Sequence, residues 1–160
     1  MRNHLVRAFG ILLVWFGFTL LASAGAPEPQ PPGAPAGGML TIKVVGARNA
    51  KGKIGVALFQ GSEGFPEKGS AALRSQLAEI DSQTMSAEVV FRDLPKGVYA
   101  VSVLHDENMN GKLDKNFFGV PQEGYGASNN PEKKMRAPSF DEAKFSISSP
   151  EQTVEIKLIY

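Results

Sequence analysis

Six stretches of this sequence place apolar residues at every second position, and that period constrains the fold more than any other feature. Leu40, Ile42 and Val44 alternate with Thr41 and Lys43, and Ile54, Val56 and Leu58 repeat the pattern beyond a turn at 49–52. Val89 with Phe91 makes a third stretch, and Tyr99, Val101 and Val103 a fourth. Ala143, Phe145 and Ile147 make a fifth. Val154, Ile156, Leu158 and Tyr160 make the sixth, interleaved with Thr153, Glu155 and Lys157. Successive side chains of a strand face opposite sides of a sheet, so each stretch predicts a half-buried strand. Short strands punctuated by Gly and Pro predict an all-β antiparallel sandwich, with residues 39–160 forming one domain. The chain has no cysteine. Disulfides, thiolate zinc sites, iron–sulfur clusters, cysteine nucleophiles and a lipidated N-terminal cysteine are therefore excluded.

Three local patterns refine this picture. Leu73, Leu77 and Ile80 have helical spacing, yet 76–81 also reads as a short edge strand, and the strand reading is preferred. Ser139 and Glu142 have capping-box spacing after Pro138, so one helical turn leads into the strand at Ala143. Leu94-Pro95-Lys96-Gly97 fits a type I turn, and Tyr99 just beyond it can bury its ring while its hydroxyl reaches backbone.

The N-terminus reads as an address. Residues 1–7 carry Arg2 and Arg7, an apolar run spans 8–22, and Ala22-Ser23-Ala24 follows. Basic start, apolar centre and small-x-small site predict a signal peptide at 1–24. The apolar run is too short for a bilayer span, which takes about 20 residues. Its removal takes away two of the 17 Lys+Arg and leaves 16 Asp+Glu, so the mature charge is near neutral. A periplasmic or secreted location is expected, with no membrane span in the mature chain. Residues 25–38 read GAPEPQPPGAPAGG, a Pro/Gly/Ala-rich disordered linker; a proline-rich recognition motif is the less favoured reading. With 17 Lys+Arg against 16 Asp+Glu there is no basic stripe for nucleic acid.

One segment carries chemistry. Asp106, Asn108, Asn110, Gly111 and Asp114 occupy relative positions 1, 3, 5, 6 and 9 of 105–130, the ligand spacing of a calcium loop. Alternating Asx side chains on a curling loop point their oxygens to one centre, and Gly111 permits the tight turn. The carbonyl of Lys112 supplies a further oxygen. Position 12 is Phe117 instead of a bidentate glutamate. Another residue must complete the six to eight oxygens calcium takes. Glu123 is the nearest donor and Asp141 a distant second, while Glu107 should point away. An Asx-rich hairpin without metal is the competing reading, because Asn110-Gly111 is itself a hairpin signal.

His105 beside Asp106 invites comparison with a catalytic dyad, but neighbours on a strand face opposite sides. A structural His105 is expected ahead of a general base. Phe117, Phe118 and Tyr125 are expected to pack the loop onto the sandwich, with a glycan or peptide platform as the alternative.

Several blocks then resemble one bacterial family. They are 54–59 (IGVALF), 64–66 (GFP), 91–101 (FRDLPKGVYAV), 105–108 (HDEN), 110–114 (NGKLD), 119–126 (GVPQEGYG) and 138–145. Together they are similar to the exported proteins grouped as domain of unknown function 2141, across nearly all of 39–160. Met109 stands where that family more usually has glycine, and Ala127 where it has phenylalanine. The Leu-Pro-x-Gly-x-Tyr turn is also similar to immunoglobulin-like and transthyretin-like sandwiches, including carboxypeptidase regulatory-like domains. These resemblances imply about seven strands and a binding or structural role without catalysis. The expected protein is a monomeric envelope module, calcium-stabilised through Asp106, Asn108, Asn110, Lys112, Asp114 and Glu123. Its expected partner is an envelope protein or glycan. The alternatives are a hydrolase using His105 and nearby carboxylates, and an adaptor pairing through an edge strand.

Overall fold

The computed structural model describes residues 37–132 and 136–160. The predicted signal peptide at 1–24 lies outside the described residues, as does the linker apart from Gly37 and Gly38. Residues 35–160 make one compact unit. Its elements in order are β1 (Gly38–Val45), β2 (Lys53–Phe59), β3 (Arg74–Ala78), β4 (Ser86–Leu94) and β5 (Gly97–Asp106). There follow β6 (Gly124–Ala127), α1 (Phe140–Ala143), β7 (Phe145–Ile147) and β8 (Glu151–Lys157). Among the described residues, no helix is long and apolar enough to cross a membrane.

The fold is all-β, in two sheets. One has the order β4-β1-β8; the other runs β3-β2-β5-β6, with β7 also on β5. The strand count is eight, one above expectation: the expected edge strand falls at Arg74–Ala78, after a 3-10 turn at Gly69–Ala71, and β6 at Gly124–Ala127 is the strand that the alternation did not announce. Every pair is antiparallel except β1 with β8, which run parallel from Met39↔Glu151 to Val45↔Lys157. β2 occupies one flank of β5 from Lys53↔Asp106 to Phe59↔Ala100. The other flank is shared by β6 at Ser102–His105 and β7 at Gly97–Tyr99.

The alternation seen in the sequence becomes the core. Leu40, Ile42, Val44, Val89, Phe91 and Ile156 come from one sheet, and Ile54, Val56, Leu58, Val101 and Val103 from the other. All are buried, and burying each such side chain stabilises by about 1.5–3 kcal/mol. Tyr99 takes the predicted corner position, fully buried with its hydroxyl donating to the Pro95 carbonyl at 2.8 Å. The fifth stretch divides where it was expected to be continuous. Ala143 ends α1, and only Phe145–Ile147 is strand. Ser139 and Glu142 form the full capping box, which holds that turn helical.

Two of the sheet margins are partly covered. Arg74 and Gln76 on β3 donate to the Arg92 and Val90 carbonyls of β4. On the far side, Tyr125 and Ile159 exchange both backbone hydrogen bonds at 3.0 and 2.8 Å and join the two sheets. β3 itself remains an exposed edge strand.

Candidate functional site

β5 ends at Asp106 and β6 opens at Gly124, with His105 paired to Gly124. Residues 107–123 are thus a long excursion between two paired strands. The turn between β1 and β2 lies beside it.

Asp106 is buried, and its carboxylate is turned under the loop. Oδ1 accepts the Asn110 N–H at 3.0 Å, and Oδ2 accepts the Gly111 N–H at 2.7 Å. Gly111 sits at φ +76°, a left-handed position that glycine adopts without penalty. Asn108 Oδ1 accepts the Asn110 N–H, and Asn110 Oδ1 accepts the Lys112 N–H. These are Asx turns, the local bonding that makes such residues turn formers. Both side-chain amides then donate to Asp114: Asn108 Nδ2 to Oδ2 at 2.6 Å, and Asn110 Nδ2 to Oδ1 at 3.0 Å. Asp106, Asn108, Asn110 and Asp114 therefore gather in one hydrogen-bonded cluster, with Lys112 on its rim.

Glu123 arrives from the far limb of the loop. It is only 4% exposed. Oε1 accepts the Glu107 N–H at 2.9 Å and Oε2 the Asp114 N–H at 3.1 Å. One carboxylate thus ties both limbs together at the base. The Gln122 N–H adds a bond to the Asp114 carbonyl at 2.7 Å. Asp141 is not brought to this loop; its carboxylate pairs with Lys144 on α1's flank.

Glu107 points away from the cluster, as expected, and meets partners that local sequence did not suggest. Arg48 reaches its Oε1 at 2.6 Å, and Asn49 Nδ2 donates to Oε2 at 3.0 Å. Burial pushes the Glu107 carboxyl up, but the bonds from Asn49 and Arg48, with Arg48's charge, outweigh it. The group is held below its ordinary value. Arg48 also donates to the Gln122 carbonyl and lies 4.7 Å over the Tyr160 ring.

His105 lies on the core side of β5, fully buried, opposite in facing to Asp106. Its Nε2 is 2.9 Å from the Lys51 carbonyl, and its Nδ1 is 2.7 Å from the Tyr160 hydroxyl. A carbonyl only accepts, so Nε2 carries a proton toward Lys51, and Nδ1 shares a hydrogen bond with the Tyr160 hydroxyl. The Tyr160 oxygen accepts in turn from the Arg48 N–H at 2.9 Å. Both ring nitrogens are committed to holding the loop base. Gly124 makes room for this, since a Cβ there would meet the Tyr160 ring at 2.6 Å. Tyr160 and Arg48 were not legible as site residues; the small side chain at Gly124 was the one trace.

The aromatic expectation is corrected. Phe117 and Phe118 do not pack on the sandwich: they are 97% and 86% exposed. Their rings meet only each other among the described aromatic contacts, edge to face at 5.6 Å. The cause is the backbone. Gly119 N–H donates to the Asn116 carbonyl, and Asn116 Oδ1 accepts from Phe118 and Val120. That β-turn places the two phenylalanines at its outermost positions. Tyr125, half-buried on β6, stands apart from them.

Among the described residues, no three His, Cys, Asp or Glu side chains form a metal group. The loop's set is different in kind, two carboxylates and two amides. A family model described as "Uncharacterized protein conserved in bacteria (DUF2141)" matches residues 42–155. No curated protein and no solved structure matches the chain significantly.

Proposed function

The chain belongs to this uncharacterised bacterial family, and from that premise we propose that it is an exported, non-catalytic binding or structural module of the cell envelope. Its working end is the loop 106–123, stabilised by calcium. The observation carrying this reading is the gathering of Asp106, Asn108, Asn110 and Asp114, with Glu123 bracing the loop from beneath. Calcium prefers a flexible cage of oxygens. Asp106 and Asp114 offer carboxylates, Asn108 and Asn110 offer amide oxygens, and Lys112 offers a carbonyl. The residues fit with two adjustments: rotation of the two amides that now direct Nδ2 at Asp114, and completion of the six to eight oxygens by water or by Glu123 released from the backbone N–H groups that it now accepts. Bound there, calcium would supply cross-linking charge and no chemistry of its own. Two carboxylates on the loop put the affinity in the weak, extracellular class, with Kd around 10⁻⁴–10⁻³ M.

The bonding of His105 supports the non-catalytic part. A general base needs a free nitrogen facing substrate, and both of its nitrogens are engaged. Export is supported by the predicted signal peptide at 1–24.

Thermal unfolding of the unit in EDTA, calcium or magnesium tests the metal. At a hundredfold excess over Kd, a ligand of the native state alone adds about 2.7 kcal/mol. A calcium-specific rise of several degrees, lost in Asp106→Ala, is expected. Identical melts in EDTA and calcium would reduce the loop to a self-bonded hairpin.

A further inference from the structure

The turn Asn116–Gly119 breaks the ordinary rule of turns. Its outermost positions normally carry small or polar residues, yet here they carry two phenylalanines at 97% and 86% exposure. Val120 beside them is 51% exposed, as is Met109 on the same 107–123 excursion. The Asn116 side chain is turned inward onto the Phe118 and Val120 N–H groups, so the tip shows little but hydrocarbon. The rings are perpendicular, at 83°. They form a wedge and not a flat stacking platform.

Charge is sorted around this tip. In the segments 46–52 and 105–124 the basic residues Arg48, Lys51, Lys112 and Lys115 are all exposed. The acidic residues of those segments are Asp106, Glu107, Asp114 and Glu123, and each is buried or half-buried. Asp106, Asp114 and Glu123 accept two N–H bonds apiece, and Glu107 is paired with Arg48. Lys115 also reaches Glu67 in an exposed pair, which is weak in water. The outward surface of these two segments is thus basic and apolar together, while the neighbouring turn 79–85 carries exposed Asp81 and an exposed Glu79 paired with Lys53.

We propose that this end of the sandwich docks on an anionic lipid surface. The Phe117–Phe118 turn enters the boundary between headgroups and acyl chains, and Lys51, Lys112 and Lys115 lie over the headgroups. Apolar insertion combined with basic residues is the physics of interfacial anchoring. A bilayer accepts a convex wedge without a matching pocket. The inference rests on reading this end as the binding face, and it does not require calcium.

The test is sedimentation of residues 35–160 with vesicles, in EDTA and in calcium. One set of vesicles mixes phosphatidylglycerol with phosphatidylcholine, and the other is phosphatidylcholine alone. Wild type is expected to bind the anionic vesicles more tightly, and less so as salt rises. Phe117→Ser/Phe118→Ser is expected to weaken binding about tenfold or more, with an unchanged melt, because both rings are exposed. Lys112→Gln/Lys115→Gln should flatten the salt dependence. Equal binding by the double phenylalanine variant would overturn the proposal, as would no binding of wild type to anionic vesicles. Failure to bind lipid together with phenylalanine-dependent capture of an envelope protein would overturn it in favour of a protein pocket. A calcium-dependent melt reports the Asx loop separately, so either reading can fail alone.

Discussion

Replacing Glu123 by glutamine changes one atom and isolates what ties the loop to the sandwich. The carboxylate accepts two backbone N–H groups, from Glu107 and Asp114, at 2.9 and 3.1 Å, in a site only 4% exposed. Hydrogen bonds to a charged group contribute about 1.5–3 kcal/mol each, and a buried donor left unmet costs about 1–3 kcal/mol. Glu123→Gln keeps one acceptor, now neutral, and turns an NH₂ toward the other N–H. Donor then faces donor. The expected loss is about 2–3 kcal/mol. For a unit of this size that lowers Tm by roughly 10 °C. Urea unfolding followed by far-ultraviolet circular dichroism, in EDTA to remove any ion, should show a lower midpoint with the slope unchanged. Hydrogen exchange adds site resolution: the Glu107 and Asp114 amides should lose protection before the strand amides do. A variant within about 0.5 kcal/mol of wild type, with both amides still protected, would refute the clamp.

Three further outcomes follow from the same base. Tyr160→Phe removes the hydroxyl between His105 Nδ1 and the Arg48 N–H; a loss of about 1–3 kcal/mol is expected in chemical unfolding. Gly52→Ala should be worse than an ordinary surface change, since Gly52 sits at φ +64° and its Cβ would collide with the Asp106 carbonyl; a soluble yield and Tm equal to wild type would refute this. The depressed Glu107 carboxyl contributes stability that is present above the ordinary glutamate value of 4.5 and is lost as pH falls through its lower folded value. A pH series of melts should show that loss in wild type and a smaller one in Glu107→Gln.

What was legible in the sequence was local. The period of two named the strands because each strand has one buried face. Pro95 and Gly97 placed the Tyr99 corner, and Ser139 with Glu142 placed the cap of α1. The gathering of Asp106, Asn108, Asn110 and Asp114 was also legible, because Asx turns bond within two to six residues. What escaped depends on distance along the chain. Arg48 meets Glu107 across 59 residues, and His105 meets Tyr160 across 55; nothing near either residue announces the other. Phe117 and Phe118 were misjudged because apolar residues usually seek cover, whereas the Asn116–Gly119 turn holds these two outward. The parallel pairing of β1 with β8 had no sequence mark, since both alternations would serve an antiparallel pair equally well.

That parallel pairing has a mechanical consequence. Gly38 begins β1 at the pole beside Leu94, and the Asx loop stands at the other pole, beyond Asp106. β1 is the middle strand of its sheet, matched at seven positions to β4 and at seven to β8. Suppose the phenyl turn is held by a surface while tension arrives through residue 37. The pull then runs along the strands and across the ladder bonds, which lie perpendicular to it between β1 and β4 and slanted between β1 and β8. Rupture requires both ladders to slide at once, where a hairpin pulled from its open end would unzip one bond at a time. Tension between the two poles would therefore load both ladders in shear.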